Sequence, residues 1–441
     1  MQSHAYPNIK IQKRLKKLSN WIGKLRSYAL FEIGKNAKYS LEQLMDLPLA
    51  AALNNTSIEY VSTKDGNRPS ADDFYYHANN KLTKDTILKM QLRYSAEICK
   101  LLKNVFGEST FDIAIDFTED CFYGDKENNY AVGGERKNST NYFFKYLTAA
   151  IVKKGFRFVL FAYPVSKEDN NDALLVEEAI IAIRKLGISI RRVLLDREFE
   201  NSKICFACDV YGIEFIFPKK KDEKILRWIA EYKREGKKFP RIIENYEIEN
   251  YPVNVLLMEE ENSKGEKEIY GYATNIEAKE IQKDPYAISE YYKQRWAIEN
   301  ANKFQDSFNI HTNCSNGLVR YFFFVLSALL HNFWVLMNLF TQTFFLWKIS
   351  LNMLKDIAKA ILGFAPIPHY KHPQRKLWLT ILLGKNTTAK CCVALSFMYS
   401  FFQKLVRRNS KIYVNLLNFC YLPVFQPTGF YSLSDLLEQA K

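Results

Sequence analysis

Phe111-Asp-Ile-Ala-Ile-Asp116 alternates in character, is rich in β-branched side chains and ends on a carboxylate, the pattern of a β-strand. Downstream, Tyr142 to Val152 and Phe156 to Val165 read as two more strands, joined at Lys153-Lys154-Gly155 by a hairpin turn. A helical pattern from Asp172 to Leu186 closes at Gly187. Ile190 to Leu195 is then a short apolar strand that runs into Asp196. A short helix leads to Gly212, and Ile213 to Phe217 forms a fifth strand. The order βββαβαβ predicts a mixed α/β sheet with helices on its faces.

Outside this block the texture changes. Residues 1–108 read as helical: Ile11, Leu15, Leu18, Ile22 and Leu25 form one apolar stripe, and Thr83 to Val105 is a second helix stopped by Gly107. Loop-like sequence with Gly66 and Pro69 separates the two. Residues 219–285 open on three lysines and continue as strand-like segments (Tyr246 to Glu249, Val253 to Met258, Glu268 to Ala273), which predicts a β-rich insertion. Pro285 to Phe308 returns to helix, and residues 349–441 are basic and mostly helical. This divides the chain at 1–108, 109–218, 219–285, 286–348 and 349–441, with 109–218 and 286–348 together forming a core.

The 441 residues carry a formal net charge of +14, which points to a polyanionic partner. The excess lies at the ends: thirteen Lys/Arg against three acids from Lys348 onward, and Glu32 as the only acid among the first 38 residues. The two ends therefore read as arms that grip something negative, with solvated helix faces as the plainer alternative. Cys205-x-x-Cys208 lacks the second pair that a tetrahedral zinc site requires and reads as buried or free thiols. No apolar leader opens the chain, so a cytoplasmic setting is expected. The uncharged stretch 321–347 is long enough to span a bilayer. However, Ser327, His331, Asn338 and Gln342 fall on one helical stripe, which suits a helix inside a protein core with a polar seam.

Catalytic chemistry is suggested by Tyr-Tyr-Lys-Gln-Arg-Trp-Ala-Ile-Glu, residues 291–299. Offsets of three and four place Tyr292, Arg295 and Glu299 on one helix face, a turn apart. A glutamate there can reach a sheet edge and join two aspartates. Three convergent carboxylates are hard ligands for two Mg²⁺ ions, with Mn²⁺ as a substitute, and two such ions suit in-line displacement at phosphate. Arg295 and Tyr292 would then face a phosphate backbone.

These blocks resemble a known family. Ile-Ala-Ile-Asp116-Phe-Thr, Phe-Tyr-Gly124, Leu-Leu-Asp196-Arg-Glu-Phe and Tyr292-x-x-Arg295-x-x-x-Glu299 are similar, in order, to the blocks of DDE transposases of insertion sequences. The similar clade is the one named for its Tyr-Arg-Glu-Lys motif, with a β-insertion between the second Asp and the Glu. His311-Thr-Asn-Cys-Ser-x-x-x-x-Arg320, followed by an apolar helix with Asn332, resembles archaeal-type members. The resemblance implies an RNase H-like core in which the first and fourth strands lie parallel and adjacent. That geometry sets Asp116 and Asp196 side by side at carboxyl ends, where open α/β sheets place their chemistry. It also implies metal-dependent cleavage of transposon ends, transfer of the freed 3′-hydroxyl into target DNA (cut-and-paste), and a homodimer on double-stranded DNA, associated with the nucleoid and not with a membrane. Asp116, Asp196 and Glu299 are the implied catalytic metal ligands. Tyr292, Arg295, Trp296, Lys303 and Arg197 are the implied DNA contacts, Trp296 by stacking on an extruded base. One position departs from the motif: Asp306 stands where it has Lys, and Lys303 is the candidate replacement.

Alternatives stay open at this stage. Asp112, Glu119 or Asp120 competes with Asp116 as the first ligand. Asp196–Arg197 and Arg295–Glu299 read equally as local ion pairs. A nuclease of the same fold without strand transfer, a non-catalytic DNA-binding transposon relic and a membrane protein are the competing functions. Basic arms and a β-insertion favour strand transfer over simple cleavage.

Overall fold

In a computed structural model, the described residues are 23–28, 30–63, 68–153, 156–169, 171–261, 265–345 and 350–361, all within the unit Lys17–Pro366; the side chains of 296–305, 340–345, 357, 360 and 361 are not among them. Most of the basic arms and of the Ile11–Leu25 helix therefore lie outside the described residues.

Helices α1 (Leu41–Asn54), α2 (Ile58–Ser62), α3 (Ala71–Lys81) and α4 (Lys84–Phe106) precede the sheet. Ser40, Ser70 and Thr83 open α1, α3 and α4 with reciprocal capping boxes, which satisfy amides left orphaned by the first turn. Gly107, at φ 68°, closes α4 as expected for a left-handed cap.

The sheet then runs β1 (Thr110–Phe122), β2 (Ala131–Lys137), β3 (Thr140–Lys153), β4 (Phe156–Pro164), α5 (Asp172–Lys185), β5 (Ser189–Leu195), α6 (Ser202–Val210) and β6 (Glu214–Pro218). Strand β3 pairs antiparallel with β1, while β4 and β2 share its other edge; β5 lies parallel to β1, and β6 parallel to β5. The order β4-β3-β1-β5-β6 is that of the RNase H fold, so the expected mixed α/β core is present.

Two features differ from the sequence expectation. The extra strand β2 (Ala131-Val-Gly-Gly-Glu-Arg-Lys137) is almost wholly exposed, so it has no apolar alternation to betray it. In the 219–285 stretch, α7 (Glu223–Arg234) precedes three strands, β7 (Arg241–Ile248), β8 (Tyr251–Glu261) and β9 (Lys267–Thr274). Strand β9 pairs antiparallel with β6, so these three continue the same nine-stranded sheet.

After α8 (Ala278–Lys283), α9 (Pro285–Gln305) crosses the sheet face. Ile288 and Tyr292 pack there on Ala114, Leu194, Ile216, Leu256 and Tyr272. The apolar helix α10 (Gly317–Phe345) follows, then α11 (Leu351–Ile361). By length and composition α10 passes as a membrane span, yet 94% of its most apolar window is buried inside the protein. Its polar residues serve the fold. Ser327 Oγ donates to Phe308 O at 2.7 Å, and Asn332 both accepts from Val159 N (2.9 Å) and donates to Val159 O (2.7 Å).

Those bonds answer a problem in β4. Leu160 is bulged out of register with β3, and the strand's outer edge would leave buried amides and carbonyls unmatched. Side chains complete them: Asn332 at Val159, Ser95 Oγ at Leu160 O (2.7 Å), Gln91 Oε1 at Ala162 N (3.1 Å) and Tyr321 Oη at Ala162 O (2.9 Å). Helices α4 and α10 thus cap the sheet edge with polar atoms as well as apolar area.

Candidate active site

The parallel ladder between β1 and β5 ends at the pair Ile115–Leu195, so the next residues, Asp116 and Asp196, emerge side by side. Local packing holds both. Thr148 Oγ1 donates to Asp116 O at 3.0 Å. Asp196 starts a 3-10 turn (Arg197–Phe199), and its Oδ1 accepts from Arg197 N at 2.7 Å. Phe199 is fully buried and stacks on Phe117 with ring centres 4.9 Å apart, tying the residue after one aspartate to the turn begun by the other.

The alternatives to Asp116 are engaged elsewhere. Asp112 is buried and pairs with Arg191 Nε (2.9 Å) and Arg192 Nη1 (3.3 Å). Glu119, on the opposite face of β1, pairs with Lys137 at 2.7 Å. Asp120 shares the Asp116 face but is held by Arg320 at 2.8 Å. Asp116 is the acid beside Asp196.

Helix α9 brings Arg295 to both of them. Its Nη1 lies 3.5 Å from Asp116 Oδ2, its Nη2 lies 3.3 Å from Asp196 Oδ1, and its Nε donates to Tyr292 Oη at 2.9 Å. Neither residue faces solvent, since Tyr292 is 5% exposed and Arg295 6%. In this structure both side chains are turned toward the sheet and the two aspartates. The i,i+3 spacing that marked a common face thus marks a face turned toward the sheet. Arg197 is exposed next to Asp196. Trp296 follows Arg295 directly on the α9 backbone, with Glu299 about one turn further and Lys303 about two, and their side chains are outside those described.

Electrostatics follow from this burial. Asp116 is pushed above the usual carboxylate range by desolvation, with Arg295 pulling it down, Asp196 raising it and Arg157 pulling it down. Arg295 loses proton affinity to desolvation, but Tyr292, Asp196 and Asp116 more than restore it, leaving it raised. Arg157, buried on β4, is a charged neighbour of Asp116 that sequence reading missed. Burial lowers it to about 10 while the charge of Asp116 opposes the shift. Its only sequence signal is an arginine in an otherwise apolar strand.

Family comparison adds a decisive observation: the model of the "Transposase DDE domain" matches residues 112–333. The chain belongs to the DDE transposase domain family. The matched stretch spans both aspartates and the whole of α9, so this transposase domain contains the paired-carboxylate edge. Among solved structures it is similar to a piggyBac transposase synaptic complex with hairpin DNA, 13% identical over 86% of this chain and 85% of that one, with a TM-score of 0.48. It is also similar to a Drosophila P element transposase strand transfer complex, 12% identical over 46% and 43% of the two chains, with a TM-score of 0.21. No curated protein matches the chain.

The DDE family uses divalent metal ions, and the donor set fits such ions. Two hard carboxylates from adjacent strands already share one cation, Arg295, in a site with few competing donors. Among the described residues there is no group of three or more His, Cys, Asp or Glu able to hold a metal, and the side chain of Glu299 is not among those described. Cys205 and Cys208 are buried in α6, and burial pushes Cys205 up to about 12 and raises Cys208 as well, so the pair behaves as core thiols.

Proposed function

We propose that this transposase hydrolyses DNA at transposon ends and transfers the freed 3′-hydroxyl into target DNA, with Asp116, Asp196 and Glu299 as the metal-binding carboxylates. The observation that carries the reading is the placing of Asp116 and Asp196 side by side where the parallel ladder of β1 and β5 ends, beneath the helix that bears Glu299. When bound, two Mg²⁺ or Mn²⁺ ions supply activation of the attacking hydroxyl and stabilisation of the leaving oxygen. The chain's own residues then do the positioning. Thr148 holds the main chain of Asp116 and the Phe117–Phe199 stack holds the turn that begins at Asp196, which keeps the two residues adjacent. Arg295, anchored on Tyr292, offers two Nη groups to a phosphate, and exposed Arg197 offers a third contact beside it. Lys303 takes the place of the motif lysine missing at Asp306, and Trp296 stacks on an unpaired base.

In this reading 109–218 and 286–348 form the catalytic core, 219–285 the insertion, and 1–108 and 349–441 the DNA-gripping regions. The protein works as a homodimer on paired double-stranded ends, near the nucleoid, as a member of the clade with the Tyr-Arg-Glu-Lys motif and of its archaeal-type branch. The test is a duplex carrying the element's terminal repeat, with Mn²⁺ and a plasmid target. Joined product that disappears when the exposed 3′ end is a dideoxynucleotide supports strand transfer. Cleavage with no joined product under all conditions would make the protein a nuclease instead.

A further inference from the structure

The Arg295 guanidinium is used on all three of its sides, and unequally. Its Nε–Tyr292 Oη contact, at 2.9 Å, is an ordinary hydrogen bond. The contacts to Asp116 (3.5 Å) and Asp196 (3.3 Å) are longer than the ~2.7–2.9 Å of charge-assisted bonds between ionised partners. The group is therefore anchored on the tyrosine and held slackly by the acids. Its side chain is 7% exposed, and the other cation acting on Asp116, Arg157, lies buried on β4 and repels Arg295. Without Arg295, the mostly buried Asp116 and the partly exposed Asp196 would bring like charges side by side, an arrangement that favours the capture of a cation.

We infer that Arg295 is a positioning residue that holds Asp116 and Asp196 together when no ion is bound and competes with divalent ions for the same oxygens. The inference rests on the proposed role of the two aspartates as metal ligands. A divalent ion held by Asp116 and Asp196 would compete with the guanidinium for the same oxygens. Once it yields the carboxylates, Arg295 would remain tethered by Tyr292, with both Nη groups free to meet a phosphate. Release from the acids and capture of the substrate then become one movement.

The test measures Mn²⁺ alone binding to the full chain, by electron paramagnetic resonance of free Mn²⁺, for wild type, R295Q, R295K and D196A. Removing the competitor in R295Q is expected to tighten Mn²⁺ binding by about tenfold, within the usual range of coupling between two sites. R295K keeps the charge but cannot span both carboxylates, and is expected to bind more tightly than wild type and less tightly than R295Q. If R295Q does not fold, R295K decides alone. Binding equal to or weaker than wild type in the folded arginine variants overturns the inference, because a purely structural arginine would leave affinity unchanged or lower it. D196A separates the two levels: if it binds Mn²⁺ as well as wild type, the metal-ligand reading fails first.

Discussion

Asn332→Ala tests how the catalytic sheet is held. Asn332 is fully buried and matches both the amide and the carbonyl of Val159, at the bulge of an edge strand, two residues from Arg157. Alanine leaves both backbone groups buried and unmatched. At ~1–3 kcal/mol for each orphaned group, the loss is about 2–6 kcal/mol, a large part of a typical ~5–15 kcal/mol stability. Because a chain of this size need not unfold in one step, the informative assay is hydrogen–deuterium exchange of peptides covering residues 156–164. Even a fall of ~2 kcal/mol in local opening free energy speeds exchange by roughly 30-fold, since every ~1.4 kcal/mol is a factor of ten. Asn332→Leu should lose the same two bonds and speed exchange in the same direction. If both variants exchange like wild type, or if Leu stabilises the protein as it would in a lipid-facing helix, the account of α10 as a polar-seamed core helix is wrong.

Other perturbations separate fold from chemistry. Asp112→Ala removes a buried carboxylate shared by Arg191 and Arg192; with Arg191 half-exposed and screened, the expected loss is about 3 kcal/mol in urea unfolding, while the folded fraction still cleaves DNA. Complete loss of cleavage in the folded fraction would put Asp112 back among the ligands. Asp116→Asn behaves oppositely. Since burial raises the folded-state pKa of Asp116, its neutral form is favoured at low pH and its ionised form costs stability as pH rises through that value. In EDTA the Asn variant should therefore match wild type in acid and gain on it toward neutral pH; a variant that is less stable at pH 7 would refute the direction. Gly317→Ala places a Cβ 2.4 Å from Cγ and Cδ2 of the Tyr130 ring, an overlap that should cost about 1–3 kcal/mol in thermal unfolding. An unchanged melting temperature would show that Tyr130 moves freely. DNA affinity should fall steeply between ~50 and ~200 mM salt if the basic arms neutralise phosphates, and a flat response would remove that role.

What the sequence revealed and what it hid divide along physical lines. The apolar runs of β1 and β5 and the aspartates that close them were legible because such runs ending in Asp are local signals, while the parallel pairing that joins them was implied by the family resemblance. The common face of Tyr292 and Arg295 was legible from spacing, but its direction was not. Periodicity says which residues share a side of a helix, and only packing on Leu194, Ile216 and Tyr272 turns that side inward. Strand β2 was hidden because its exposed Gly133-Gly-Glu-Arg-Lys137 has nothing to bury. The choice among Asp112, Asp116, Glu119 and Asp120 was hidden for a different reason. It depends on partners up to 200 residues away, such as Arg320 for Asp120, that no local pattern encodes.

The most direct test of the central claim is divalent-ion-dependent cleavage of DNA bearing the element's ends by purified wild type and by Asp116→Ala, Asp196→Ala and Glu299→Ala. Wild type should cleave with Mg²⁺ or Mn²⁺ and not in EDTA, and each alanine variant should still retain the DNA in a gel shift yet release no cleaved strand. Cleavage at the wild-type rate by any one of the three would remove that residue from the site, and metal-independent cleavage by wild type would contradict the account as a whole.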